Sequence, residues 1–176
     1  MTDDAPTIDA LLAPWTDAIG ADLPAYRNHL HRVMTFVDVL DPQAAEHRTA
    51  YHVAAAFHDL GIWSDGTFDY LPPSIARATA WLQTNGHEDL VPLVTRMIDE
   101  HHKVRATGPA DDPAEVFRRA DWTDVTFGIR RFGIPRADYR AAASAHPDNG
   151  FHATLVKLTV KRTVHHPLSP LPMFRW

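Results

Sequence analysis

The stretch Ala44-Ala45-Glu46-His47-Arg48-Thr49-Ala50-Tyr51-His52-Val53-Ala54-Ala55-Ala56-Phe57-His58-Asp59-Leu60-Gly61 decides the fold. Its spacing predicts a helix from about Ala44 to Asp59, with His47, Tyr51, Ala54, Ala55 and His58 on one face. Alanine favours the helix and adds little bulk, so neighbouring helices can approach this segment closely. Gly61 reads as a chain-reversal glycine just past the helix end. The segment thus predicts a closely packed helix that delivers an imidazole and a carboxylate at its terminus.

Working outward, helical spacing recurs on both sides. Upstream, a helix covers about Ile8 to Ile19, interrupted at Pro14, and another runs from Pro24 to Leu40 through Leu30, Val33, Met34 and Val37. Downstream, Ile62 to Leu71 has no period and reads as a loop. Pro72-Pro73-Ser74 then opens a helix that Asn85-Gly86 closes. A further helix spans Glu88 to Lys103, with Leu90, Val94, Met97, Ile98 and His101 on one stripe. Asp112-Pro113 has the cap-then-proline order and opens a helix expected to reach Gly133. Another follows Pro135, and a last one covers Phe151 to Val164. No window alternates as a half-buried strand does. The expectation is all-α: one compact helical domain over 1–176, a bundle of about seven to eight helices. Its motif-bearing core is 26–133, with helices and a proline-rich tail over 134–176. The apolar end Met173-Phe174-Arg175-Trp176 is expected to lie against the body or a partner chain, which leaves room for a homodimer.

Composition narrows the function. A length of 176 residues suits one domain with a sizeable core. A net charge of -5 argues against general nucleic-acid binding, which needs a basic face. Without cysteine, thiolate metal sites and a cysteine nucleophile are excluded. The 12 histidines outnumber the 4 methionines and 4 tyrosines together, which directs attention to imidazole chemistry. No signal peptide or membrane span is visible, so a cytoplasmic protein without a membrane partner is expected.

Four polar residues stand at or near the inner faces of these helices. His29 shares a stripe with Val33, Phe36 and Leu40, whereas His31 turns away. His58 and Asp59 end the alanine-rich helix, where a carboxylate is unfavourable beside the negative end of the dipole. Adjacent side chains point about 100° apart on a helix, yet they can converge on an ion just beyond its end. Asp121 interrupts the stripe Phe117, Ala120, Asp124, Val125, Gly128, and needs a partner: Arg118 in an ordinary ion pair, or a metal. Asp124, one turn on, is placed to accept from a ligand histidine. Such groups are costly among apolar neighbours, and a bound divalent cation compensates a mixed nitrogen and oxygen set.

The order His29, His58-Asp59, Asp121 resembles the HD-domain superfamily of metal-dependent phosphohydrolases. The first histidine lies in an H-x-x-R-V string, and Leu-Gly follows the central pair. The resemblance covers about Tyr26 to Gly133. It implies an all-helical fold whose central helices hold a divalent metal through His29, His58, Asp59 and Asp121. It also implies hydrolysis of a phosphomonoester or phosphodiester, often of a nucleotide. Some members use extra histidines for a second metal. Here His101-His102 resembles that pair, while the segment Phe68-Asp69-Tyr70-Leu71 lacks the other expected histidine and offers only Asp69.

On this reading Asp59 both ligates and orients the attacking water, and His101 and His102 meet the substrate phosphate or leaving group. His102, Lys103 and Arg105 are candidates for binding phosphate, although cations past a helix C-terminus are also favoured by the dipole. The donor set suits manganese, iron, cobalt, nickel, zinc or magnesium, and a second metal stays open. Two other classes remain: a di-iron oxygenase on the same scaffold, and a non-catalytic metal-binding regulatory module. Trp63, Phe68 and Tyr70 fall in the loop after His58-Asp59, where an aromatic could wall the pocket or stack on a base.

Overall fold

Thr7 starts the first helix, its hydroxyl accepting from Ala10 N at 3.2 Å. A computed structural model describes residues 5–67 and 69–165. Helix α1 (Ile8–Leu12) passes through a 3-10 turn at Ala13–Trp15 into α2 (Thr16–Ile19), so Pro14 splits the first segment as expected. Then follow α3 (Leu23–Leu40), α4 (Arg48–Phe57), α5 (Gly61–Ser64), α6 (Leu71–Thr84) and α7 (Val91–Glu100). The chain continues with α8 (Pro113–Val125), α9 (Arg136–Ala145) and α10 (Phe151–His165). The described residues contain no strand, and the fold is an all-α single domain. No helix among them is long and apolar enough to cross a membrane.

Helix α4 is the centre of the packing, as its alanines predict. Ala50, Ala54, Ala55 and Ala56 are fully buried, and α1, α3, α6 and α7 all lie against it. Helix α8 packs along α3 and α7, while α9 and α10 contact α3. Asp112 caps α8, accepting from Ala114 N at 2.9 Å and Glu115 N at 3.4 Å, with Pro113 in the first turn. The four helices that carry the candidate ligands therefore meet around one point.

Five local readings change. Ala44–His47 is a 3-10 turn, so the alanine-rich helix α4 covers only Arg48–Phe57. Gly61 is not a chain reversal: it opens α5, in a segment read as loop, and serves close approach instead. A Cβ there would lie 2.6 Å from the Tyr70 carbonyl oxygen. Helix α8 stops at Val125 rather than Gly133, because Phe127 (φ 54°) and Gly128 (φ 68°) turn left-handed. A side chain at Gly128 would also press on the Tyr139 ring at 3.0 Å. Glu88–Leu90 is a 3-10 turn, and α7 ends at Glu100 rather than Lys103. The expected packing of Met173–Trp176, and any role for Phe68, lie outside the described residues.

Candidate metal centre

Four helices each bring polar groups to the centre of the fold. Helix α3 supplies His29 and Arg32, the end of α4 supplies His58 and Asp59, the end of α7 supplies His101 and His102, and α8 supplies Asp121 and Asp124. His29, His58 and His101 are fully buried, Asp121 is 1% exposed and Asp59 3%. Groups of this kind survive burial only when each finds a partner.

Each imidazole is oriented from behind. His29 Nδ1 lies 2.7 Å from Asp124 Oδ2, His58 Nδ1 2.8 Å from the Ala55 carbonyl, and His101 Nδ1 2.7 Å from the Ile98 carbonyl. Carbonyl and carboxylate oxygens only accept, so all three Nδ1 atoms carry a proton and all three Nε2 atoms face inward. His29 Nε2 and His58 Nε2 are 3.2 Å apart. Asp121 Oδ1 lies 3.4 Å from the first and 3.6 Å from the second. Asp59 Oδ2 is 3.4 Å from His58 Nε2, and Asp59 Oδ1 is 3.5 Å from His101 Nε2. The adjacent pair His58-Asp59 does converge, although the two side chains leave the backbone in different directions.

The cluster is rich in acceptors and short of donors. Asp59 Oδ1, His101 Nε2 and both Asp121 oxygens are buried without a hydrogen-bond partner. Burial draws the His58 pKa down, but the Asp59 carboxylate, with Asp121, outweighs it and raises it to about 10. Burial would raise Asp59, yet His58 and His101 hold it well below the usual carboxylate range. Asp121 is lowered in the same way against its burial, first by His58. A proton on His58 answers only part of this demand for positive charge. A divalent cation answers it for several groups at once, so the residues present fit a metal.

Among the described residues, two ligand groups are tight enough to hold an ion: His29–His58–Asp59, and Asp59–His101–His102. Ligand atoms within each lie within 4.8 Å of one another, and Asp59 belongs to both. Asp121 stands outside these two groups but borders the His29–His58 pair through Oδ1.

Around the ligands, Asp124 plays the part its position in the stripe suggested. It accepts from His29 and from Arg32 Nε and Nη2 at 2.6 and 2.8 Å. Burial raises its pKa, but His29 and then Arg32 outweigh that and hold it at about 2. Arg118 does not pair with Asp121. It meets Glu115, and its Nη1 donates to the Lys103 carbonyl. Lys103 Nζ is 3.5 Å from Glu100 Oε1, and Arg105 is exposed. Among the described residues no contact joins either cation to the cluster. Trp63 packs on Tyr26, with ring centroids 4.6 Å apart, and donates from Nε1 to Asp22.

One neighbour of the cluster, Phe151, escaped the sequence reading, and Tyr70, one of the loop aromatics, meets the cluster by a contact that reading did not give. Phe151, the first residue of α10, stacks on the His29 ring with centroids 4.1 Å apart. Tyr70, from the segment without period, is hydrogen-bonded through its hydroxyl to His102 Nε2, whereas Asp69 is exposed. Burial, then the Asp59 carboxylate, keeps the Tyr70 hydroxyl protonated. Burial, then His101, pulls His102 down to about 3. Neither neighbour has a periodic signal, since contacts across the fold set both.

No family model, curated protein or solved structure matches the chain. Its class rests on its own fold and cluster: an all-helical domain with buried histidines and aspartates able to hold a metal ion.

Proposed function

We propose that the protein is a metal-dependent phosphohydrolase of the HD-domain type. It cleaves a phosphomonoester or phosphodiester of a small metabolite, with nucleotides among the candidates. The observation that carries this reading is the inward-facing set of three Nε2 atoms and two carboxylates, four of whose atoms are buried without a hydrogen-bond partner. His29, His58 and Asp59, bordered by Asp121, would hold the ion. A divalent cation supplies charge beside a phosphoryl oxygen and makes water acidic enough to attack near neutral pH.

The remaining work falls to side chains. Asp59 is the acceptor that orients the attacking water, because Oδ1 is unengaged while Oδ2 faces His58. His101 Nε2, 3.5 Å from that oxygen, meets the phosphate or the leaving group. Asp124 keeps His29 in one tautomer and holds Arg32 beside it. Burial of the cluster keeps bulk water from competing. A small phosphorylated substrate fits a protein working in the cytoplasm without a nucleic-acid partner.

One observation favours a second reading, a di-iron oxygenase: Asp59 is shared by two ligand groups. The two are separated by one comparison. Untagged protein, purified without oxygen, is assayed for tightly bound metal, for phosphate release from a panel of nucleotides and sugar phosphates, and for iron-dependent oxygen uptake. Metal-dependent phosphate release that Asp59→Ala abolishes, with the helical circular dichroism spectrum retained, is the expected result. Turnover retained in Asp59→Ala would sink the hydrolase reading. Iron-dependent oxygen uptake without phosphate release would replace it with the second.

A further inference from the structure

Asp59, His101 and His102 form a second group beside His29–His58–Asp59 and share one carboxylate with it, the arrangement expected of a pair of bridged ions. His102 Nε2, however, is engaged by the Tyr70 hydroxyl. In either direction of that bond Nε2 has no lone pair for a cation: it accepts the phenol proton, or it carries a proton of its own. The Tyr70 ring also meets the His102 ring edge-on, with centroids 6.1 Å apart.

Tyr70 is firmly placed. It directly precedes α6, its carbonyl accepts from Ser74 N at 3.0 Å, and only 2% of it is exposed. The Tyr70 carbonyl passes so close to Gly61 that no side chain fits between them. Gly61 N in turn donates to Ser74 Oγ at 3.0 Å. Gly61 lies two residues beyond Asp59, so the shared ligand and the phenol are tied to one piece of backbone.

The geometry points to Tyr70 as the residue that limits this centre to one divalent cation, by holding His102 Nε2 out of ligation. The inference rests on the metal reading of the cluster. With the hydroxyl gone, His102 Nε2 is released toward Asp59 and His101, and the centre takes a second ion bridged by Asp59.

Manganese(II) alone is the probe. Untagged wild type, Tyr70→Phe, Tyr70→Phe/His102→Ala and His102→Ala are equilibrated with it, then assayed for bound manganese and by electron paramagnetic resonance. Circular dichroism checks each fold. Wild type is expected to hold one magnetically isolated ion, and Tyr70→Phe a second ion exchange-coupled to the first. The coupling should vanish in the double variant, and His102→Ala alone should keep the wild-type ion with unchanged affinity.

A coupled pair in wild type overturns the inference, as does loss of the first ion in His102→Ala. An extra but uncoupled ion in Tyr70→Phe overturns it too, because that is binding by surface histidines. One isolated ion in both wild type and Tyr70→Phe overturns it while the metal reading stands. No bound ion in any form removes both.

Discussion

Asp124 shows how much one buried carboxylate settles here. It receives the His29 Nδ1 proton and two Arg32 hydrogen bonds, so it fixes the His29 tautomer and neutralises a guanidinium that is 2% exposed. Asp124→Asn keeps an acceptor but removes the charge. Metal affinity should fall by about 10–100-fold, as for other groups that orient ligand histidines. Leaving Arg32 buried without its counter-ion should cost about 3–5 kcal/mol of stability. Competition with a chelator reads the first effect and urea unfolding the second; affinity unchanged beside lost stability would make Asp124 purely structural.

Glu115 is a different case, an ion pair with no part in the cluster. It accepts from Arg118 Nε and Nη2, and from Arg119 Nε, each at 2.7 Å. Burial raises its pKa, but Arg118, the Thr107 N–H and Arg119 outweigh that and bring it to about 2. A carboxyl lowered by folding stabilises above its unfolded value of 4.5, and that contribution is lost as pH falls toward 2. Glu115→Gln should therefore lose about 3–5 kcal/mol near neutral pH, by removing one partner of a buried pair. Its stability should also decline less on acidification than that of wild type. Parallel acid limbs in urea titrations would show that Glu115 is not the group responsible.

At the scale of elements, what the sequence displays are the long periodic stretches and their punctuation. Asp112-Pro113 marks the start of α8, Pro14 the break between α1 and α2, and Val33 and Val37 the buried face of α3. The candidate ligands were legible for the same reason, since a polar residue on an apolar stripe is visible wherever the stripe is. Asp124, one turn beyond Asp121, was legible as an acceptor for a ligand histidine; that the histidine is His29 is set by the packing of α3 on α8. What spacing cannot show is contact between segments far apart. Phe127 turns left-handed although nothing in its type favours that, so α8 was read as too long. Arg118 stood near Asp121 in sequence but pairs with Glu115, one turn back on the same helix.

Gly61 is the clearest of these hidden contacts. A glycine after a helix usually serves a left-handed turn, and here it makes room for the Tyr70 carbonyl instead. Gly61→Ala would set a methyl group against backbone that is tied into the start of α6, not against a side chain that can rotate away. We expect a loss of about 1–3 kcal/mol, as for overpacking elsewhere. The Tyr70–His102 contact should loosen with it. Thermal unfolding checks the loss, and a melting temperature equal to wild type would mean that the two backbones separate freely.

On the scale of the whole molecule, the cluster would link folding to the binding of an ion. Four helices converge on His29, His58, Asp59, His101 and Asp121, so whatever cation compensates them also holds α3, α4, α7 and α8 together. In metal-free protein part of that task falls to a proton on His58, whose pKa is raised from 6.5 to about 10. A group raised by folding stabilises fully below its unfolded pKa and loses that contribution as pH rises through the folded one. Chelated protein should therefore weaken steadily between about pH 6.5 and 10. A divalent ion replaces the proton, and its affinity rises as the proton becomes easier to displace. At free metal about 100 times the dissociation constant, binding adds about 2.7 kcal/mol to stability. The melting temperatures of loaded and chelated protein should thus diverge with increasing pH, the loaded form staying nearly level while the chelated form falls. Two curves that fall in parallel would mean that the ion does not occupy the His58 position, and the ligand set would have to be sought elsewhere among the histidines.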